Sequence, residues 1–166
     1  KEEKNMEGAL ISGIAFTKDE SEIIIKGVKD QPGVASKILG PIGDANIEVD
    51  MIVQNVGSDG LADFTFTVSR NSLNKAVKVI EKHKKSMGYH NIESKRNIVK
   101  VSLVGVGMRS HAGIASKMFK CLAKNKVNIR MISTSEIKIS VVIDQKNLEI
   151  AVQALHNEFK LEKKNN

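Results

Sequence analysis

The sequence has little of the side-chain chemistry from which disulfide frameworks and metal sites are built. Its 166 residues include a single cysteine, Cys121, one Tyr and no Trp. One cysteine excludes an internal disulfide and a cysteine metal cluster. The histidines lie far apart in the sequence and lack the spacing of metal ligands; they are His83, His90, His111 and His156. We therefore expect no metal site.

Long apolar runs and a leader sequence are also missing. A bilayer-spanning helix needs roughly 20 apolar residues, and no run comes near that length. The first residues, KEEK, are charged with no apolar stretch behind them, so no signal peptide is visible. Hydrophobic residues still make up 41% of the chain, enough for a globular core. We expect a cytoplasmic protein without membrane contact.

Signatures of catalysis are missing as well. There is no Walker-type phosphate loop, and the short GVG at 105–107 lacks the third glycine of a dinucleotide fingerprint. His111 has no acid or nucleophile at a recognisable spacing, which favours a structural histidine. We expect the chain by itself to be non-catalytic and to use no cofactor.

The charge balance is positive, with 26 Lys+Arg against 19 Asp+Glu and a net charge of +7. Basic chains are candidates for nucleic-acid binding. Here much of the charge lies in separate short segments, which is typical of solvated surface and helix ends. RNA-recognition modules also need aromatics on an open sheet face, whereas Phe64 and Phe66 alternate with threonine and are predicted to face helices. An RNA-binding module is the weaker alternative, and we expect no nucleic-acid partner.

The chain repeats itself at an offset of 80 residues. GVASKI at 33–38 matches GIASKM at 113–118, so the offset is 113 − 33 = 80, and the same offset takes Met51-Ile52 onto Met131-Ile132. A period this long is not that of a solenoid repeat. It predicts a duplicated small domain.

Each copy follows the order strand, helix, strand, strand, helix, with a last strand in the first copy. Alternating apolar residues predict strands at 22–28, 47–53, 64–68 and 90–95, and helices over 33–43 and from Leu73 onward. In the second copy they predict strands at 99–106, 127–134 and 137–143, with helices around 114–122 and 148–159. The order βαββαβ is the ferredoxin-like pattern. The predicted class is α+β, with antiparallel sheets and helices on one face.

The second copy lacks its fourth strand, and the chain has a spare one at 9–16. We predict that this N-terminal strand completes the second module, because the missing fourth strand would otherwise leave an open sheet edge. The first module, 17–96, is then inserted in the second, formed by 8–16 plus 97–160. Residues 1–7 and 161–166 are expected to be flexible tails.

The most informative local signal is DQPGVA at 30–35. Pro32 fixes the turn and Gly33 lets the backbone approach a ligand. The first helical amides are unbonded and carry partial positive charge, which suits a carboxylate, and Asp30 is placed to receive an ammonium. Together they fit a free α-amino acid. The alternative is a plain turn in which Asp30 caps the helix.

Further positions surround this loop or its copy. Gln54 ends a strand, where a neutral amide can bond a small polar ligand side chain or lie on a surface hairpin. The companion loop at 107–113 is longer and has Ala112 where proline would match. The polar turn at 133–136 is a second candidate, or only a hairpin loop.

Taken in order, these segments resemble the paired ACT domains of aspartate kinases. DQPGVA (30–35), IEVDMIVQNV (47–56) and DFTFTV (63–68) resemble the first domain. KVSLVGVGM (100–108), SH (110–111), VNI (127–129) and ISTSEI (132–137) look like the second. Met6-Glu7 with SGIA at 12–15 resembles the junction after the kinase domain.

The resemblance implies a regulatory region or small β-subunit that lacks the kinase domain. That domain phosphorylates the side-chain carboxylate of aspartate with ATP, toward lysine, threonine and methionine. ACT modules pair between chains and hold end products at the interface, so a homodimer and a kinase partner are implied. The effector is threonine, lysine or both, and Gln54 favours threonine. A sensor of the same type serving another enzyme is the alternative.

The resemblance also carries over effector positions, residue by residue. In the first domain these are Asp30, Gly33, Val34, Ala35, Glu48, Val49, Asp50 and Gln54. In the second they are Ile114, Ala115, Asn128, Ile129, Ser135 and Glu136. Ala112 departs from the family's frequent proline, so the second loop is expected to be less rigid.

Overall fold

Helices and strands alternate along the chain in the computed structural model, which describes residues 11–105 and 112–159. The elements are β1 (Ile11–Lys29), α1 (Val34–Asp44), β2 (Val49–Val56), β3 (Leu61–Ser69), α2 (Leu73–Lys82), α3 (Lys84–Met87), β4 (Asn91–Gly105), α4 (Ala112–Lys124), β5 (Met131–Thr134), β6 (Lys138–Asp144) and α5 (Leu148–Glu158). Short 3-10 turns precede α2 and α5. None of the described helices is both long enough and apolar enough to cross a bilayer.

Several sequence predictions fall outside the described residues. They are the two tails, 1–7 and 161–166, the start of the predicted strand at 9–16, and the companion loop up to His111.

Contacts divide the chain into two units. The first unit is Asp19–Asn97, and the second contains the described residues up to Lys18 together with those from Ile98 onward. In the first unit the strand order is β2-β3-β1-β4, and in the second it is β1-β4-β6-β5, because β1 and β4 each contribute residues to both. The pairings of β3 with β1 and β2, and of β6 with β4 and β5, are antiparallel. The α+β class and the tandem ferredoxin-like architecture are confirmed.

The core of the first unit lies between its sheet and its helices. Phe64 and Phe66 on β3 are 1% and 0% exposed and belong to this core, as their alternation with threonine predicts. No stacking platform for RNA bases is available from them, because both rings are buried. Their partners come from β1 and from one face of each helix: Ile23, Ile25, Val34, Ile38, Ile42, Leu73, Ala76 and Ile80.

The core of the second unit is built in the same way. Alternate residues of β4 and β6 meet one face of α4 and of α5: Val99, Val101, Leu103, Ile139, Val141, Ile143, Ile114, Met118, Leu122, Leu148, Ala151 and Leu155. Ile11, at the start of β1, is buried in this core. The hydroxyl of Ser12 also donates to the carbonyl oxygen of Val104 at 3.0 Å, so the first residues of β1 are attached to β4.

Strand boundaries differ from the sequence predictions in two ways. The segments predicted at 9–16 and 22–28 form one strand, β1, and those at 90–95 and 99–106 form β4. Polar residues such as Lys18 do not interrupt β1. The strand predicted at 127–134 begins only at Met131, because the backbone before it still closes the end of α4.

Helices α1 and α4 end in the same way, 80 residues apart. Asn46 and Lys126 both adopt the left-handed conformation, with φ of 57° and 58°. In each copy the next residue, Ile47 or Val127, donates its amide back to a helix carbonyl at 3.2 or 2.9 Å. This is the helix ending for which glycine is the usual residue.

Replacing Lys126 by glycine should therefore stabilise the chain. A left-handed non-glycine residue costs about 1–2 kcal/mol, and the extra unfolded-state entropy of glycine offsets about 0.5–1 kcal/mol of the gain. We expect the free energy of unfolding in urea to rise by about 0.5–1 kcal/mol. Asn46→Gly is the matched control with a smaller gain, because asparagine tolerates this conformation. An unchanged or lower value for Lys126→Gly would contradict the assignment.

Candidate functional site

The turn from β1 into α1 depends on the backbone of Gly33. This residue caps the helix with φ 87° and ψ −2°, in the left-handed region that favours glycine. A Cβ built on Gly33 would meet no atom within 4 Å. Within this chain, glycine is therefore required for its conformation and not for space.

The first turn of α1 keeps two unpaired amides. The amide of Val34 donates to the carbonyl oxygen of Gln31 at 3.1 Å, so it is not free as the sequence suggested. The amides of Ala35 and Ser36 have no hydrogen-bond partner in the part of the chain that the structure describes. No side chain caps the helix, so the alternative in which Asp30 serves as a cap is not the arrangement found. Two N–H groups at the positive end of α1 remain for an anion.

Asp30 is attached through its backbone while its side chain stays exposed. Its amide donates to the carbonyl oxygen of Gly60 at 3.0 Å, which ties the loop to the β2–β3 hairpin. Residues 31–33 are exposed as well. The carboxylate is thus exposed beside the first turn of α1.

Gln54 lies on β2, the outermost strand of the first unit. It is paired with Phe64, and paired residues of an antiparallel ladder point to the same face. Gln54 therefore lies on the face of the sheet that packs against the helices. It lies on the outermost strand of that face, beyond the helices. Its neighbours on this face, Ile52 and Val56, are 50% and 57% exposed. The outer edge of β2 has no strand partner among residues 11–105 and 112–159.

The strand register separates some predicted effector residues within one chain. Val49 pairs with Val68 on β3, whereas the amide of Asp30 donates to Gly60, in the turn that precedes β3. Val68 and Gly60 are eight positions apart (68 − 60). At about 3.3 Å per residue this is roughly 26 Å. Glu48, Val49 and Asp50 therefore cannot reach a single amino acid held at Asp30 of the same chain. Asp30, Gly33, Val34 and Ala35 do lie together, with Gln54 nearer to them.

Most of the predicted effector residues of the second unit are at least partly buried or are engaged in hydrogen bonds within the chain. Ile114 is buried in its core and Ala115 is half-buried, both in the first residues of α4. Asn128 is exposed, and Ile129 packs against the same core. The hydroxyl of Ser135 accepts the amides of Ile137 and Lys138 at 3.4 and 3.2 Å, so it closes the β5–β6 turn.

Glu136 is exposed in that turn. The hydrogen bonds that the Ser135 hydroxyl accepts give the 133–136 segment a structural role as a hairpin loop. A ligand role for Ser135 and Glu136 stays a prediction.

Two groups outside the predicted site residues have raised pKa values. Burial raises the pKa of the Cys121 thiol, and the negative charge of Glu158 adds to the shift. Burial likewise raises the pKa of the Tyr89 phenol, with a contribution from Glu81. Within residues 11–105 and 112–159, no group of three or more His, Cys, Asp or Glu side chains is arranged to hold a metal.

Sequence reasoning missed three residues near the predicted positions. The amide of Ser36, like that of Ala35, has no hydrogen-bond partner among the described residues. The predicted start of the helix could have indicated this, because the first amides of a helix lack partners within it. Ile52 and Val56 flank Gln54 with exposed apolar surface, which the alternation of Ile52, Gln54 and Val56 could have indicated. That signal was obscured because a bulge between Val49 and Ile52 shifts the register of β2.

Models of ACT domains match both units. One matches residues 21–85, and a second, also described as an ACT domain, matches residues 101–159. Each match covers a βαββα segment, one in each unit.

Known proteins resemble the chain over most of its length. An aspartate kinase of Stutzerimonas stutzeri is 60% identical over 161 residues, covering 97% of this chain and 39% of that protein. Among solved structures, one of aspartokinase alpha and beta subunits is 49% identical with a TM-score of 0.85, and covers 90% of this chain and 99% of that one. The ligand-free regulatory subunit of aspartate kinase from Thermus thermophilus is 35% identical, with the same TM-score and coverage. The chain spans about two fifths of the length of the curated relatives it matches.

Proposed function

The chain belongs to the aspartate kinase family, as its regulatory part with two ACT domains, and we propose that it senses an end-product amino acid for a kinase module. The effector is threonine, lysine or both. The kinase module transfers a phosphoryl group from ATP to the side chain of aspartate, and it is a separate domain or subunit. The proposed location is the cytoplasm.

One observation carries the proposal: two unpaired amides lie at the positive end of α1, beside the exposed carboxylate of Asp30. A free amino acid carries a carboxylate and an ammonium on adjacent atoms. The amides of Ala35 and Ser36 bind the carboxylate, since a helix N-terminus favours anions. Asp30 binds the ammonium through a charge-assisted hydrogen bond.

We place the effector between two chains. The register keeps Val49 about 26 Å from Asp30 within one chain, and Glu48 and Asp50 adjoin Val49. The predicted residues therefore meet only if another copy supplies some of them. The second unit's predicted positions, among them Asn128 and Ile129, are then contributed by the facing surface. Exposed Ile52 and Val56 on the open edge of β2 support a homodimer through the ACT domains.

The domain boundaries are part of the proposal. The first ACT domain is 17–96, and the second is formed by 8–16 plus 97–160. Two features support the inserted arrangement: the burial of Ile11 in the second core, and the division of contacts at Lys18 and Ile98.

Regulation then follows as a shift of populations. An effector that binds one arrangement of the paired ACT domains more tightly favours that arrangement, and the kinase module is less active in it. A differential affinity of about 1–3 kcal/mol is sufficient for useful control.

A thermal-shift screen of the free amino acids tests the function. We expect threonine, lysine or both to raise the melting temperature by several degrees, because ligand at 100 times its Kd stabilises by about 2.7 kcal/mol. Calorimetry should give a Kd between about 1 μM and 1 mM. Threoninamide and N-acetylthreonine, which lack the carboxylate or the ammonium, should produce no shift. A screen in which no amino acid shifts the melting temperature would reject the proposed function.

The Gln54→Ala variant tests a contact to the effector's side chain separately from the contacts that Asp30 and the amides of Ala35 and Ser36 make to its ammonium and carboxylate. One neutral hydrogen bond contributes about 0.5–1.5 kcal/mol, so threonine affinity should fall by about 2- to 13-fold with an unchanged melting temperature of the free chain. Gln153→Ala on α5, another exposed glutamine, is the matched control. Unchanged threonine affinity in Gln54→Ala would reject that role for Gln54.

A further inference from the structure

Strand β1 contains a bulge shortly before it reaches the proposed effector site. Its register with β3 shifts between Ile25 and Val28. Gly27, inside the shift, has φ 75°, a conformation that strains an L side chain. A Cβ at this position would lie 2.6 Å from the ring of His90, so space as well as conformation requires glycine.

The bulge is closed by a side chain. The amide of Gly27, displaced from the regular ladder, donates to a carboxylate oxygen of Asp63 at 3.0 Å. Asp63 lies half-buried on β3. Asp63 thus supplies the acceptor for an amide that the strand ladder leaves without one.

The bulge determines where β1 delivers Asp30. Beyond it, Val28 and Lys29 pair with Ala62 and Leu61, and the amide of Asp30 then donates to the carbonyl oxygen of Gly60. Without the bulge the following residues would be shifted by one position, and each side chain would move to the other face.

Asp63 also stands between the two halves of the site. It pairs with Asn55 on β2, next to Gln54, while its carboxylate reaches across to β1. One side chain thus connects the strand that carries Gln54, through β3, to the strand that ends at Asp30.

We propose that Asp63 is a positioning residue of the effector site, which holds the Gly27 bulge and thereby sets the place of Asp30 and the first turn of α1. The inference rests on the proposed amino-acid binding. Asp63 acts through Gly27, so its acceptor oxygen matters and its charge matters less.

Two substitutions of Asp63 separate the acceptor from the charge. Asp63→Ala removes the acceptor and should raise the Kd for threonine by about 10-fold or more, since the Gly27 amide is then left without its acceptor and the bulge is no longer held. Asp63→Asn keeps a carbonyl oxygen and should stay within about 3-fold of the unmodified chain. Equal losses in both variants would assign the effect to charge and overturn the positioning role, as would an unchanged Kd in Asp63→Ala.

Hydrogen exchange of the unliganded chain gives a second reading that does not depend on the effector. Amides at 27–36 should exchange faster in Asp63→Ala and at the normal rate in Asp63→Asn. Ile80→Val, a core substitution in the same unit, controls for general loosening and should leave this segment and the Kd unchanged. If Ile80→Val produces the same changes, the positioning role is overturned. If the unmodified chain binds no amino acid, the proposed function fails, while exchange still decides whether Asp63 holds the loop.

Discussion

Threonine affinity should fall by about 10- to 150-fold when Asp30 is replaced by asparagine, because a hydrogen bond to a charged group contributes about 1.5–3 kcal/mol. The loss is specific to binding, since the carboxylate is exposed and the attachment of the loop runs through the Asp30 amide. The free variant should therefore melt at the same temperature as the unmodified chain.

Calorimetry at two salt concentrations measures this loss, and Asp44→Asn provides the control. Asp44 is also exposed, and it ends α1. Its removal changes the net charge equally but leaves the first turn untouched. Equal threonine affinities for Asp30→Asn and Asp44→Asn would exclude Asp30 as the ammonium partner.

Phe66→Ala should be the most damaging substitution for stability. The ring is 0% exposed in the core of the first unit, between the sheet and the helices. Truncation of a buried phenylalanine costs about 3–5 kcal/mol through lost burial and the cavity left behind. Since whole domains are stable by only about 5–15 kcal/mol, we expect a greatly lowered urea midpoint or a chain that fails to fold.

Two further substitutions keep that prediction testable. Phe66→Leu retains most of the volume and should cost less than about 2 kcal/mol. Phe16, 49% exposed with the Lys18 ammonium 5.8 Å from its ring centre, is the aromatic control. Phe16→Ala should cost no more than about 1 kcal/mol. Similar urea midpoints for Phe66→Ala and Phe16→Ala would contradict the placement of the core.

Local signals predicted the elements well. The helix expected over 33–43 is found at Val34–Asp44, and the strand expected at 64–68 is found within Leu61–Ser69. Both depend on apolar periodicity and on turn residues that lie next to them in the sequence. The 80-residue repeat was equally visible, and it reappears in the matching ends of α1 and α4.

Features set by distant pairing could not be predicted. The continuity of β1 across Lys18 has no periodic signal in the sequence, because the residues there are polar. The bulge at Gly27 is supported by Asp63 and His90, which lie 36 and 63 residues away. For the same reason, the sequence could group Asp30, Gly33 and Ala35 but could not show that Val49 lies far from them.

The outer edge of β2, which has no strand partner in the part of the chain that the structure describes, has a consequence for how such a chain behaves in solution. Its backbone donors and acceptors can pair with another strand, and in an isolated subunit such an edge promotes aggregation. If that other strand is the same edge of an identical copy, related by a twofold axis, each edge is used up by the contact and growth through it stops at two. An edge that promotes aggregation of the single chain thereby limits assembly to a dimer. Because dilution dissociates a dimer, it also weakens any binding site that lies between the two copies.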